Sequence, residues 1–193
     1  GTFPLNMYEE SVKVPFIARH PGRIPAGVVC DSLVSAYDFM PTLLDYLGLK
    51  PLDMAKRPGV SFVPALLGQD FERPGGIVVM DEYGPNRMLR DQRYKYIARY
   101  PYGPNALYDL KADPGEQANL LAHGGFEALE QELRGRLEKW FAKYVNPEID
   151  GAREAVFGSG QIGLAGLWGA GVSAHSCDDY IKKNPNYTLY RVK

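Results

Sequence analysis

The feature that most constrains the fold is a helical repeat of apolar residues between positions 126 and 144. Its members recur at steps of three and four, so they lie on one face of a helix. They are Phe126, Leu129, Leu133, Leu137, Trp140, Phe141 and Tyr144. The opposite face carries two charge pairs with four-residue spacing, Glu130–Arg134 and Glu132–Arg136. A helix with one apolar face must cover another element, so we expect it to pack on a sheet with Leu133 and Trp140 buried.

The segment before this helix reads as short strands. The apolar or alternating runs are Ile77–Met80, Met88–Arg90, Arg93–Tyr100 and Leu107–Leu110. In the third run, aromatic residues alternate with Lys95, Ile97 and Arg99, the period expected of a strand. We therefore predict an antiparallel sheet of about four strands within residues 76–144, packed on the helix.

The first third of the chain carries a different pattern. Val12–Arg19 is mostly apolar and stops at His20-Pro21-Gly22, which predicts a buried strand followed by a turn. Asp38 as an N-terminal cap and Gly48 as a C-terminal cap predict a short helix between them. Val60–Leu67 is a further short apolar element that ends at Gly68.

Composition excludes two classes of partner. The 22 basic and 23 acidic residues nearly balance, so we expect no nucleic-acid partner. No apolar run approaches the roughly 20 residues that a membrane helix needs, so we expect no membrane span. The beginning Gly1-Thr2-Phe3-Pro4 resembles neither a natural start nor a signal peptide, and we interpret it as a cut end.

Four sequence blocks, taken in order, resemble the C-terminal half of type I sulfatases of the arylsulfatase kind, in the alkaline phosphatase superfamily. The blocks are Met7–Ile17 with His20–Ile24, Tyr37–Gly48, Arg87–Ile97, and Leu107–Leu110 with Asp113–Glu116 and Asn119–Leu120. The resemblance implies an α/β enzyme of the alkaline phosphatase type. This chain would supply the end of its large α/β sheet (residues 1–70), a small antiparallel sheet packed on a C-terminal helix (71–145) and a glycine-rich extension (146–193).

The resemblance also implies an activity, the hydrolysis of sulfate esters. Members of the family use a formylglycine made from Cys or Ser in a Cys/Ser-x-Pro-x-Arg context, together with Ca²⁺. Neither Cys30 nor Cys177 has that context, so we expect the nucleophile and the Ca²⁺ ligands upstream and no activity from this chain alone. Residues following the missing metal-binding stretch are candidates for the rim of the substrate pocket: Tyr8, Glu9, Glu10 and His20.

Two alternatives remain open from the sequence. A phosphonate monoester or phosphodiester hydrolase of the same superfamily has similar C-terminal blocks. A non-catalytic interaction or oligomerisation module, with the glycine-rich extension as its arm, belongs to a different class. In either case the strand predicted at Val12–Ile17 needs neighbours, so we expect an upstream sulfatase segment or a second copy of the chain as partner.

Overall fold

The computed structural model describes residues 7–50, 53, 55–81, 86–100 and 104–150. Its helices and strands are, in chain order, α1 Glu9–Val12, α2 Phe39–Tyr46, α3 Val63–Leu66, β1 Ile77–Met80, β2 Asn86–Arg90, β3 Tyr94–Arg99, β4 Ala106–Asp109 and α4 Glu127–Tyr144. Contacts divide the chain into two compact units: a sheet unit, made of residues up to 12 and from 78 onward, and a middle unit, residues 13–77. The three domains expected from the sequence stay a prediction, and residues 151–193 of the expected extension lie outside the described residues.

The four strands form one sheet in the order β1-β2-β3-β4. The pairs β2–β3 and β3–β4 are antiparallel, with Met88 opposite Ile97 and Tyr96 opposite Leu107. The predicted four-stranded antiparallel sheet is therefore confirmed. Each strand follows directly on its neighbour in the chain, so the sheet forms by local pairing without a crossover.

Successive side chains of a strand point to opposite faces of the sheet. Both faces of this sheet are buried, each by a different element. One face packs on α4 through a cluster that contains Val78, Leu89, Tyr96, Ala98, Leu107, Leu133, Leu137 and Phe141. The other face carries Met88, Ile97, Ala106 and Tyr108, and Met7 from the segment before α1 packs against them. The sheet thus lies between the long C-terminal helix and the start of the described chain.

Helix α4 confirms the predicted amphipathic helix with one correction. Leu133, Leu137 and Phe141, spaced four apart, are buried against the sheet. Trp140 is only partly buried, because it lies beside this row and not on it, and its ring packs on Phe141 and Tyr144 at centroid distances of 5.1 Å. The apolar face is consequently narrower than the sequence suggests.

Only one of the two predicted charge pairs on α4 forms. Glu132 and Arg136 lie 3.5 Å apart, as predicted. Arg134 instead pairs with Glu138 at 2.8 Å. Glu130 accepts hydrogen bonds from the Tyr96 hydroxyl and the Asn105 amide, both at 3.4 Å, so packing against the sheet draws it away from Arg134.

Beyond α4, a 3₁₀ turn at Pro147–Ile149 leads to Asp150, which is buried and forms an ion pair with Arg87 of β2. The Arg87 guanidinium lies over the Phe141 ring, 3.8 Å from its centroid. A buried guanidinium needs an anion and benefits from an aromatic face, and it has both here. Asp150 therefore fastens the end of the described chain to the sheet.

In the middle unit, α2 occupies the predicted position, and Gly48 follows its C-cap residue with a φ of 65° that suits glycine. Asp38 is at the predicted N-cap position, but its side chain is completely buried and makes no capping hydrogen bond to the helix. Its carboxylate accepts hydrogen bonds from the backbone N–H groups of Ser35 and Val60 and from Arg73, at 2.8 to 2.9 Å. Burial raises the pKa of Asp38, against the opposing effect of these donors. Asp38 thus ties three stretches of the unit together.

The strand predicted at Val12–Arg19 does not form. Val12 ends α1, and residues 13–20 belong to neither a helix nor a strand. A strand exists only when a neighbour pairs with it, and no described segment pairs with these residues. Val14 and Ile17 are 76% and 90% exposed, so the apolar pattern that predicted burial faces solvent in this chain.

Candidate functional site

A completely buried lysine organises the region that contains three of the four candidate site residues. Lys95 lies on β3, and its Nζ is 2.7 Å from Glu9 Oε1 and 2.8 Å from Glu116 Oε1. The same ammonium donates a hydrogen bond to the Met7 carbonyl at 2.9 Å. The ammonium thus makes one hydrogen bond to a backbone carbonyl and two ion pairs with carboxylates.

Strand geometry explains the position of this lysine. Lys95 is two residues from Ile97 and shares its face of the sheet, the face that the Met7 segment covers. A buried charge on an apolar face is costly unless it is paired and hydrogen-bonded, which requires carboxylates to reach it. Glu9 comes from α1, and Glu116 comes from the turn after β4.

Glu116 is held by an unusual backbone conformation. Its φ is 53°, and it is the only non-glycine residue with positive φ among those the structure describes. The preceding turn begins at Asp113, whose carbonyl accepts a hydrogen bond from the Glu116 N–H at 3.1 Å. The second carboxylate oxygen of Glu116 accepts a hydrogen bond from the Glu9 N–H at 2.6 Å. Glu116 therefore binds both the lysine and the beginning of α1, and a strained backbone is retained where such contacts determine it.

Glu9 is also paired with Arg90, whose Nε lies 3.0 Å from its carboxylate. Burial acts to raise the pKa of Glu9, but the hydrogen bonds and charges of Lys95 and Arg90 outweigh it and lower the pKa. Glu9 is therefore an ionised carboxylate whose Oε1 holds two cations. These contacts fix α1 to the sheet.

The two neighbours of Glu9 differ from it. The Tyr8 ring packs edge-on against Tyr108, with centroids 6.0 Å apart. Burial, followed by the hydrogen bond with Tyr8, raises the pKa of Tyr108, so its phenol stays protonated at neutral pH. Glu10 is exposed. Of the three candidates in α1 and just before it, Glu10 is thus the most accessible to a ligand.

The fourth candidate, His20, belongs to the middle unit and lies at a tight turn. The Arg23 N–H donates to the His20 carbonyl at 3.1 Å, and Gly22 between them has a φ of 81°. The His20 Nδ1 lies 2.7 Å from the Tyr46 hydroxyl, and the Arg23 guanidinium carbon lies 5.0 Å from the centre of the Tyr46 ring. His20 is exposed, so it forms part of a surface cluster and not of the core.

The residues that organise the first region were missed from the sequence. The sequence pattern indicates only that Lys95 alternates with aromatic residues in a strand, and that Arg90 and Glu116 belong to motif blocks. Ile97 is the one apolar residue on the side of β3 that carries Lys95, and Arg99 lies on that side as well, so the sequence gives little indication that the side is buried. Where such a side is buried, its lysine requires carboxylate partners.

Within the described ranges, no group of three or more His, Cys, Asp or Glu side chains is arranged to hold a metal ion. No helix in the same ranges is long and apolar enough to cross a membrane. Cys30 is an exposed free thiol, and Cys177 lies outside the described residues.

Comparison with known proteins gives consistent matches. Residues 5–143 match the family model for the C-terminal part of N-sulphoglucosamine sulphohydrolase. An ulvan-active sulfatase of Formosa agariphila is 31% identical over 166 residues, which covers 67% of this chain and 33% of the relative. A Delta 4,5-hexuronate-2-O-sulfatase of Bacteroides thetaiotaomicron is 32% identical over 148 residues, covering 72% and 30% respectively. The match thus spans about a third of the length of these relatives.

A solved structure shares the fold. The phosphonate monoester hydrolase of Silicibacter pomeroyi superposes with a TM-score of 0.55 at 20% identity, over 67% of this chain and 29% of that one. At this identity the likeness concerns the fold alone. The described elements accordingly share the fold of the matching part of that protein.

Proposed function

Because this chain belongs to the N-sulphoglucosamine sulphohydrolase C-terminal family of sulfatases, we propose that it is the C-terminal portion of an enzyme that hydrolyses sulfate esters. The observation that carries the proposal is the match over residues 5–143, which covers the sheet, α4 and the middle unit together. A non-catalytic module is the weaker interpretation, since the relatives with 31% and 32% identity are themselves named sulfatases.

In this proposal, the nucleophile and the Ca²⁺ ligands are supplied by residues other than those that the structure describes. Formylglycine would supply a hydrated aldehyde that attacks sulfur, and Ca²⁺ would neutralise the sulfate oxygens. The described residues do not fit such a metal site, because no suitable cluster exists among them and Glu9 and Glu116 are occupied by Lys95. The proposal therefore assigns this chain no covalent step.

The contribution of this chain is to hold the segment Met7–Val12 in place. Lys95 binds this segment through the Glu9 carboxylate and the Met7 carbonyl, and Glu116 binds it through the Glu9 N–H. Tyr8 and Glu10 would then face the rim of the pocket, with Glu10 free of ion pairs among the described residues. Positioning of this kind contributes to rate because small displacements of a substrate-facing group are costly.

We propose a sulfated carbohydrate as the substrate class. The family is named for N-sulphoglucosamine, and one relative is named for a hexuronate 2-O-sulfate, a sugar acid. A phosphonate monoester or phosphodiester is the second candidate. Its support is a shared fold, which does not discriminate between the two chemistries.

The test is a substrate panel on the intact protein that contains this chain, matured in a host that makes formylglycine. The panel contains 4-nitrophenyl sulfate, a sulfated sugar and its unsulfated counterpart, a 4-nitrophenyl phosphonate ester and a phosphodiester. We expect sulfate release that is lost on calcium chelation and restored by Ca²⁺. Preferential turnover of the phosphorus esters would overturn the sulfatase proposal in favour of the second candidate.

A further inference from the structure

We propose that His20, Arg23 and Tyr46 form an oxyanion-binding subsite that takes the sulfate group of a sugar. The three side chains lie on the surface of the middle unit, around one aromatic ring. The His20 ring is centred 5.8 Å from the centre of the Tyr46 ring, and the Arg23 guanidinium carbon is 5.0 Å from it. The choice of sulfate rests on the proposed function, whereas the binding of an oxyanion rests on the geometry alone.

The turn places the His20 and Arg23 side chains together. His20 and Arg23 are the first and last residues of a four-residue turn, with Pro21 and Gly22 at its two central positions. Proline at the first central position and glycine with φ of 81° at the second are the signature of a type II turn. The side chains of both end residues contact Tyr46, the last residue of α2. The helix therefore holds one side of a turn whose backbone is already restricted by proline.

The contacts with Tyr46 hold both side chains but leave Nε2 of His20 and the N–H edge of Arg23 free. The hydroxyl of Tyr46 engages only Nδ1 of His20, and Nε2 has no partner among the described residues. Arg23 is exposed and stacks on the ring, which uses its flat face and not its N–H edge. Within the described part of the chain, that guanidinium has no carboxylate partner. A guanidinium edge is suited to bidentate binding of a planar or tetrahedral oxyanion.

Capping of α2 does not account for the positions of His20 and Arg23. The helix ends in hydrogen bonds of its own, with the N–H groups of Leu47, Gly48 and Leu49 donating to carbonyls of the last turn. The nearby carboxylate of Asp45 is bonded to the Ser61 hydroxyl at 2.5 Å. Among the described residues, the end of α2 therefore contacts His20 and Arg23 through Tyr46 and not through its capping groups.

The experiment uses the full chain labelled with nitrogen-15 and follows the Gly22 amide and the Arg23 Nε–H signal by NMR. Titrants are N-acetylglucosamine 6-sulfate, N-acetylglucosamine, sodium sulfate and sodium chloride, at constant ionic strength. We expect saturable shifts with the sulfated sugar, weaker binding of inorganic sulfate, and no response to the unsulfated sugar or chloride. Shifts limited to those produced by chloride would overturn the proposal, and equal affinity for both sulfates would overturn the assignment to a sugar.

Three variants separate local binding from general charge. Arg23→Gln should raise the dissociation constant at least about tenfold, which is the loss of affinity expected when one charge-assisted hydrogen bond is removed. Tyr46→Phe retains the ring under Arg23 but frees His20, so a smaller weakening is expected. Arg57→Gln, an equal charge change elsewhere in the middle unit, should leave affinity within about twofold, and an effect equal to that of Arg23→Gln would overturn the site.

The same variants in the intact protein provide a readout that does not depend on the isolated chain being stable. Arg23→Gln should raise KM for the sulfated sugar and leave kcat unchanged, because a side chain that only binds the substrate contributes equally to the ground state and the transition state. An unchanged KM would overturn the subsite while sulfatase turnover persists. Loss of the proposed function would appear instead as absent turnover in the unsubstituted protein, so the two failures are distinguishable.

Discussion

The Lys95 ammonium lies 2.7 Å from the Glu9 carboxylate, which joins the third strand of the sheet to the helix at the start of the described chain. Glu116 reaches the same ammonium at 2.8 Å from the turn after the last strand. Three segments distant in sequence therefore meet at one buried positive charge. Removing any member leaves the others in an environment that penalises an unpaired charge.

The first prediction concerns this cluster. Lys95→Met should lower the free energy of unfolding by about 3–5 kcal/mol, because it leaves the buried Glu116 carboxylate without its cation. The triple variant Lys95→Met, Glu9→Gln, Glu116→Gln removes the uncompensated charge and should recover part of the loss. Urea denaturation measures both. Lys139→Met, at an exposed position of α4, is the matched control, and a cost for Lys95→Met as small as the control's would contradict the prediction.

The second prediction concerns pH. Because the folded-state pKa of Glu9 is lowered, its contribution is present above the unfolded value of 4.5 and is lost as pH falls through the folded value. Glu9→Gln should therefore destabilise the chain at neutral pH, and the difference from the unsubstituted chain should shrink below pH 4.5. Denaturation series between neutral and acid pH test this. Glu10→Gln, at an exposed neighbour, should show no such convergence, and a difference for Glu9→Gln that is constant with pH would count against the ion pairs.

The third prediction concerns the packing of α4. Leu133 is completely buried between the helix and the sheet, so Leu133→Ala should cost about 2–5 kcal/mol through lost burial and the cavity left behind. Leu129→Ala makes the same chemical change at a partly buried position on the same helix and should cost less. Equal losses in thermal or urea unfolding would show that burial at Leu133 has been overestimated.

The fourth prediction concerns activity. The purified 193-residue chain should not hydrolyse 4-nitrophenyl sulfate, because neither of its cysteines has the context of a formylglycine precursor. Electrostatic stabilisation by the nucleophile and metal site supplies most of the rate in such chemistry. Turnover by this chain that disappears on calcium chelation would refute the prediction.

The fifth prediction concerns association. Val14, Ile17 and Val29 are 76%, 90% and 86% exposed, so we expect the isolated chain to associate at micromolar concentration or to bind a separately supplied upstream portion of the protein. Ile17→Ser combined with Val29→Ser should reduce association in light scattering. Val12→Ser, at a partly buried position of the sheet unit, serves as the comparison. A stable monodisperse monomer from the unsubstituted chain would show that this apolar surface is covered from within.

Local sequence patterns predicted the sheet and α4 because each strand pairs with the next strand along the chain, and α4 follows these strands in sequence. Alternation in β3 and the three- and four-residue spacing of α4 each follow from the geometry of a single element. The prediction of a strand at Val12–Arg19 was wrong because no neighbouring segment of the described chain pairs with it. A strand depends on a partner, and an apolar pattern does not reveal whether the partner is present.

By itself, the sequence determined the family, through four motif blocks, and the order of elements from Ile77 to Tyr144. The tertiary structure alone decided the roles of the candidate residues. Glu9 is an ion-pair anchor for Lys95, and His20 shares an exposed ring with Arg23, although no spacing in the chain indicates either contact. The physical reason is that propensity and periodicity act over a few residues. Charge pairing and burial act through space, between groups that only the folded chain brings within a few ångströms.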